Sequence, residues 1–224
     1  MNDALTTPKE RPILFSAELV RAILAGRKTV TRRVVKLPCA HHDATYYAQS
    51  TSGESVFGIS EPPGAEDHYV RSPYGKPGDE LWVREAFRLP VGVNDLSPKE
   101  CGRLAIGAGY PEPWAPTRYE AEGTVSESVY NLHGSGGKWG RLRPSIHMPR
   151  WASRIQLRVT EVSVERVQEI TWADAVAEGC PGYRPTQDEP THQFRRLWDS
   201  INEGRGYAWD ANPWVWVVRF EVIG

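Results

Sequence analysis

Residues 153–167 read SRIQLRVTEVSVERV. Ile155, Leu157 and Val159 alternate with Gln156 and Arg158, the period of two that gives a strand one apolar face. Beyond Thr160 the apolar positions move to Val162 and Val164, a change of parity by one residue. Such a slip marks a bulge or a sharp bend, and strongly bent strands belong to small barrels. Downstream, Thr171-Trp-Ala-Asp174 opens a short helix like a capping box, with Asp in place of Glu. That helix is expected to run to about Glu178 and stop at Gly179. Phe194, Leu197, Trp198 and Ile201 mark an amphipathic helix ending at Gly204. The last strand is WVWVVRFEV (214–222), with Trp214, Trp216, Val218, Phe220 and Val222 on one face and Arg219 and Glu221 on the other.

Upstream, residues 1–11 read as a polar, flexible tail and PILFS (12–16) as a first strand. Ser16 caps a helix whose apolar face is Leu19, Val20, Ile23 and Leu24, and Gly26 stands where a left-handed C-terminal residue is wanted. TVTRRVV (29–35) is a strand rich in β-branched residues, and GKPGD (75–79) is a turn leading into the strand ELWVREAF (80–87). TRYEAEG (117–123) reads as a strand with Tyr119 and Ala121 inward. Residues 37–73 and 90–140 carry Pro, Gly and Ser without clear periodicity and read as two long irregular insertions. Several strands, three short helices and no regular βαβ alternation predict an α+β fold: a small mixed β-barrel in a single domain over 12–224.

The 224 residues carry 27 basic and 28 acidic side chains, a formal charge of −1, so bulk charge does not announce a nucleic-acid partner. Distribution says more. No Asp or Glu occurs from Ser128 to Thr160, yet Lys138, Arg141, Arg143, Arg150, Arg154 and Arg158 do, and the run Arg27, Lys28, Arg32, Arg33, Lys36 is also free of acids. Two such segments brought together would make one basic face. In the second, the basic groups interleave with Trp139 and Trp151, so phosphates could meet arginines while an indole stacks on a base. With nine Trp in the chain, most must fill cores. His147 is a weak candidate acid there. The 3 cysteines, Cys39, Cys101 and Cys180, are sparse and scattered, which fits a reducing compartment and a cytoplasmic protein. No apolar run is long enough to span a bilayer, and a monomer without membrane contact is expected. CAHHD (39–43) is too tightly spaced to close a metal site alone, and no P-loop or dinucleotide glycine motif occurs. No metal or organic cofactor is expected.

ILAGRKTVTRR (23–33), GKPGDELWVRE (75–85), TWADAVAEG (171–179) and WVWVVRFEV together resemble the ASCH superfamily, which shares the PUA-like barrel. RPSIHMPRWASRIQLRV (143–159) and WDANPWVWVVRF (209–220) are similar to phage and prophage ASCH proteins in particular. The matching segments cover about half of the chain, and the two insertions lie outside the small members. Small bacterial members remove the acetyl group from N4-acetylcytidine. There a Lys and a Thr from a Gly-x-Lys-x-x-Thr segment work with a Glu from a later short helix. The resemblance therefore implies Lys28, Thr31 and Glu178 as catalytic residues, and a modified cytidine nucleoside or RNA as partner.

The chemistry is coherent on its own terms. A threonine hydroxyl is a weak nucleophile until a base takes its proton. A lysine becomes that base if burial or a neighbouring cation such as Arg27, Arg32 or Arg33 lowers its proton affinity. Glu178 pulls the other way and orients Lys28 or shuttles protons. In a flat strand positions 28 and 31 face opposite sides, so Lys28 must sit on the turn before the strand straightens. Thr29 is the rival nucleophile, and Glu85 is expected to point toward the pocket from behind. Two readings compete with the amidohydrolase: a non-catalytic RNA or modified-base binding module, and a ribonuclease.

Overall fold

A computed structural model describes residues 7–36, 45–51, 54–60, 68–126, 138–181 and 189–224. The strands are β1 (Glu10–Leu14), β2 (Val30–Val34), β3 (Thr45–Thr51), β4 (Glu54–Ser60), β5 (His68–Arg71), β6 (Glu80–Arg84), β7 (Phe87–Pro90), β8 (Arg118–Tyr119), β9 (Trp139–Arg143), β10 (Gln156–Arg166) and β11 (Trp214–Val222). The helices are α1 (Ala17–Leu24), α2 (Pro98–Gly107), α3 (Trp172–Ala177) and α4 (Pro190–Asn202). The strands form a five-stranded sheet of order β1-β6-β10-β11-β2 and two three-stranded sheets, β3-β4-β5 and β8-β7-β9. The fold is mixed α+β with short helices. The large sheet has an open order, ending on β1 and β2, and no closed barrel is formed by these pairings.

The chain divides into two compact units. One comprises residues 1–11, 25–80 and 158–222; the other comprises 12–24, 81–157 and 223–224. In the first, Val30 of β2 and Val215 and Val217 of β11 pack against Ala175 of α3 and Phe194 and Trp198 of α4. Each large apolar side chain removed from water there contributes roughly 1.5–3 kcal/mol. In the second, Phe87 and Leu89 of β7 pack with Cys101 of α2, Tyr119, Met148 and Ala152.

Several local expectations are met by the coordinates. Ser16 Oγ accepts from the Leu19 amide at 3.4 Å, Gly26 has φ +67°, and Thr171 Oγ1 accepts from the Asp174 amide at 3.1 Å. Other expectations need correction. The segment 37–73 is not irregular throughout: β3, β4 and β5 pair antiparallel, with Thr51 opposite Glu54 and Ile59 opposite His68. Nor is 90–140, because α2 lies within it, opened by a Ser97/Glu100 capping box with Pro98 in the first turn. The tail is tied down from Lys9 onward, whose amide donates to Asp79 Oδ1 at 3.1 Å. TRYEAEG is a strand only at Arg118–Tyr119, although Tyr119 and Ala121 are both buried as expected. β11 is not one-faced: Val215 and Val217 are buried against α3 and α4, and Trp216 and Val218 are buried on the opposite face. α4 ends at Asn202 rather than Gly204, and a 3₁₀ turn over Glu203–Arg205 follows, closed by the left-handed Gly206. The CAHHD segment lies outside the described residues.

Candidate functional site

Lys28 precedes β2 rather than lying in it, and forms an isolated antiparallel bridge with Glu178. The bridge exists because the end of α3 is stitched to the approach to β2. The Thr29 amide donates to Ala177 O at 2.8 Å, and the Phe220 amide of β11 donates to Thr29 O at 2.9 Å. Arg27 adds a bond from Nη1 to Gly179 O at 3.3 Å. Glu178 is the C-terminal cap of α3, followed by Gly179 at φ +99°. Thr29, the rival nucleophile, is exposed and committed through its backbone.

Lys28 is 1% exposed and Glu178 is 3% exposed. Lys28 Nζ donates to Glu178 Oε2 at 2.5 Å, to Glu178 O at 2.9 Å and to Val30 O at 2.8 Å. Those three acceptors match the three protons of an ammonium. The helix C-terminus disfavours the Glu178 anion, and Lys28 offsets that directly. Burial pushes the Lys28 ammonium below its ordinary range; Glu178 pulls it part of the way back, and Arg33 pushes it down again. The pair is thus a buried amine and carboxylate sharing a short hydrogen bond, a place where a proton can be held or moved.

Arg32 serves this pair rather than solvent. It lies opposite Val217 in the β11–β2 register, and its guanidinium is fully covered. Nη1 reaches Glu178 Oε1 at 3.5 Å, Nε reaches Glu165 Oε1 at 2.7 Å, and Nη2 reaches Asp174 Oδ2 at 3.4 Å. Asp174 is further held by Arg219 Nη2 at 2.7 Å and by the Thr171 hydroxyl at 2.8 Å. Burial lifts the Glu165 carboxyl above its usual range despite Arg32. For Asp174 burial acts in the same sense, but the Thr171 hydroxyl, Arg219 and Arg32 outweigh it and hold the carboxyl below its usual range.

Strand alternation places Thr31 and Arg33 on the face opposite Val30 and Arg32. Thr31 is 2% exposed, and no side-chain hydrogen bond joins its hydroxyl to another described residue. Arg33 is half-buried. Burial weakens its proton affinity, and the surroundings that act on it are Tyr74, Glu178 and Arg205. Lys28, Glu178, Arg32 and Arg33 therefore share one electrostatic environment, and Thr31 sits beside it in the strand.

The remaining candidates belong to the second unit. Glu85 is 2% exposed and receives both Arg154 Nε (2.9 Å) and Nη2 (3.2 Å). Arg154 also reaches Glu122 Oε2 at 3.1 Å and Thr124 Oγ1 at 3.0 Å, with its guanidinium 4.3 Å from the Tyr119 ring centroid. Arg143 donates to Val93 O, and Arg158 of the first unit pairs with Glu221. Arg143 and Arg154 spend donors inside the protein, whereas Arg158 makes a surface pair and Lys138 and Arg141 are exposed, so the acid-free run does not translate into one continuous row of open cations. His147 is exposed in a short 3₁₀ turn, Arg150 is half-buried, and Trp151 is half-buried against the second core.

The sequence reading missed Glu165, Asp174 and Arg219. The available signal was Arg32 itself. A guanidinium on the same strand face as Val30 and Val34 is a buried cation and demands acids from neighbouring strands or helices. Among the described residues no group of three or more His, Cys, Asp and Glu is arranged to hold a metal, and no helix is long and apolar enough to cross a membrane. Comparison with family models, curated proteins and solved structures found no match for this chain.

Proposed function

We propose that the protein is a metal-independent amidohydrolase of the ASCH, PUA-like type that removes an acyl group from N4-acylated cytosine nucleosides. The observation that carries the proposal is the buried Lys28–Glu178 pair, assembled from positions 150 apart in sequence. The Gly26-Arg27-Lys28-Thr29-Val30-Thr31 segment supplies the resemblance, and the lowered proton affinity of Lys28 supplies the chemistry.

Loss of one proton to solvent leaves Lys28 a neutral amine that still donates to Glu178 Oε2. That amine takes the Thr31 hydroxyl proton as Thr31 Oγ1 bonds to the acyl carbon and the carbonyl electron pair moves to oxygen. Collapse re-forms the carbonyl and breaks the C–N4 bond, with the Lys28 proton passing to N4. Water then bonds to the acyl carbon as Lys28 takes one of its protons; the C–Oγ1 bond breaks, that proton passes to Thr31 Oγ1, and the acid leaves as carboxylate with its proton released to solvent. Thr31 is covered in the free protein, so binding must displace that cover.

A second reading, a module that binds RNA or a modified base without reaction, is favoured by the three acceptors around Lys28 Nζ, which suit a structural cation. Incubation with N4-acetylcytidine, followed by the ultraviolet change to cytidine, separates the two. Turnover lost in Lys28→Met and Thr31→Val with the fold intact supports the hydrolase. Absence of turnover with salt-sensitive RNA binding supports the module. Cleavage of an oligonucleotide in the presence of a chelator supports the ribonuclease.

A further inference from the structure

The second unit contains a cavity of about 650 Å³ between α2 and the segment around Pro149 and Trp151, within the range of small-molecule sites. Its floor depends on Gly102. A glycine inside a helix costs stability, and here a Cβ would lie 2.9 Å from Pro113 Cβ and 2.9 Å from Trp151 Nε1. The missing side chain lets the edge of the indole rest on the helix. Pro113, Pro149 and Ile106 make the other apolar walls.

The rim carries two cations, Lys99 and Arg103, and one acid, Glu100. Lys99 and Arg103 are exposed, lie one turn apart on α2 and both line the cavity. Like charges at this spacing repel, and among the described residues neither is ion-paired with an acid. Glu100, the acid between them, has its Oε2 taken by the Ser97 amide at 2.7 Å in the capping box. A flat apolar floor beneath two cations complements a ligand with a planar ring and an anionic group.

We propose that this groove is a nucleotide site, with the base packed on Trp151 and the phosphate held by Lys99 and Arg103. Base and phosphate together define the ligand, whether free or within a strand. The site is independent of the hydrolase reading.

The test is calorimetric and NMR titration of the whole chain with 5′-CMP, with cytidine and inorganic phosphate as half-ligands. Saturable 5′-CMP binding is expected, about tenfold or more tighter than either half-ligand and weakened by salt. Arg103→Glu, an exposed change that leaves the core untouched, is expected to weaken it about tenfold or more, and Trp151→Leu to do the same where it folds. In the NMR titration the ligand-induced shifts are expected on α2 and at the Trp151 indole, which separates this groove from the first unit's pair. An octamer of cytidylate that binds tighter than 5′-CMP assigns the groove to a strand; one that does not assigns it to the free nucleotide. Absence of saturable 5′-CMP binding, equal binding of a half-ligand, or affinity unchanged in Arg103→Glu overturns the proposal.

Discussion

Lys28 grips Glu178 twice, donating from Nζ to the carboxylate at 2.5 Å and to the same residue's main-chain carbonyl at 2.9 Å. The second bond fixes the end of α3, so the ion pair is also a structural splice. Glu178→Leu leaves an ammonium buried without its counter-ion and is expected to destabilise the fold by about 3–5 kcal/mol. The double variant Lys28→Met/Glu178→Leu removes both charges and should cost less than the sum of the two single changes. Urea denaturation of the four proteins measures this. Additive losses would show that the two charges do not depend on each other.

Arg32 carries a related prediction. Replacing it with Met fits the stem of the side chain but removes the guanidinium from Glu165 and takes one cation from Asp174 and Glu178, which keep Arg219 and Lys28. The expected loss is again about 3–5 kcal/mol. Arg32→Lys should recover only part of it, because one ammonium cannot span three carboxylates. Equal stability of Arg32→Met and the parent protein contradicts the assignment of Arg32 as the hub.

What could be read from the sequence was local. The N-cap at Thr171, the left-handed Gly26 and the apolar alternation of Ile155, Leu157 and Val159 each depend on neighbours within a few residues, and each is in place. The meeting of Lys28 with Glu178 was reached by resemblance, since nothing in spacing pairs two residues so far apart. Helix α2 was legible and overlooked: Ser97-Pro98-Lys99-Glu100 is a capping box with Pro in the first turn, masked by the surrounding Pro and Gly. β3 and β4 pair with each other, and their sequences TYYAQST and ESVFGIS carry no strict apolar alternation from which the strands could be read. Trp216 and Val217 show the limit of face assignment. Period two puts them on opposite faces, and only the tertiary packing, with α3 and α4 over Val217 and Trp216 buried on the other side, shows that both faces are covered.

Glu85 links the second unit to pH. Burial raises its carboxyl above the ordinary value of 4.5, more than Arg154 lowers it. Between 4.5 and the raised value the folded chain holds the extra proton, so Glu85's contribution to stability is full at lower pH and is lost as pH rises through that interval. Glu85→Gln abolishes that titration and should flatten the stability profile there. A profile whose slope is unchanged in Glu85→Gln counts against this assignment.

Lys28 gives the opposite slope in the alkaline range. Its proton affinity is lowered by burial, so between the folded value and the ordinary 10.5 the unfolded chain binds the extra proton. Stability contributed by Lys28 therefore rises with pH across that window and is lost as pH falls through the folded value. Lys28→Met should remove this rise. The same titration governs the proposed reaction, in which the neutral amine is the competent form: kcat/KM for N4-acetylcytidine should climb with pH along a limb set by Lys28. Lys28→Met should lower it by about 10²–10⁴-fold and erase the limb. Thr31→Val keeps the shape at a 2% exposed position while deleting the hydroxyl, so it should abolish turnover while the alkaline stability slope remains. Turnover surviving in Thr31→Val would remove Thr31 as the nucleophile and leave Lys28 with water as the attacking partner.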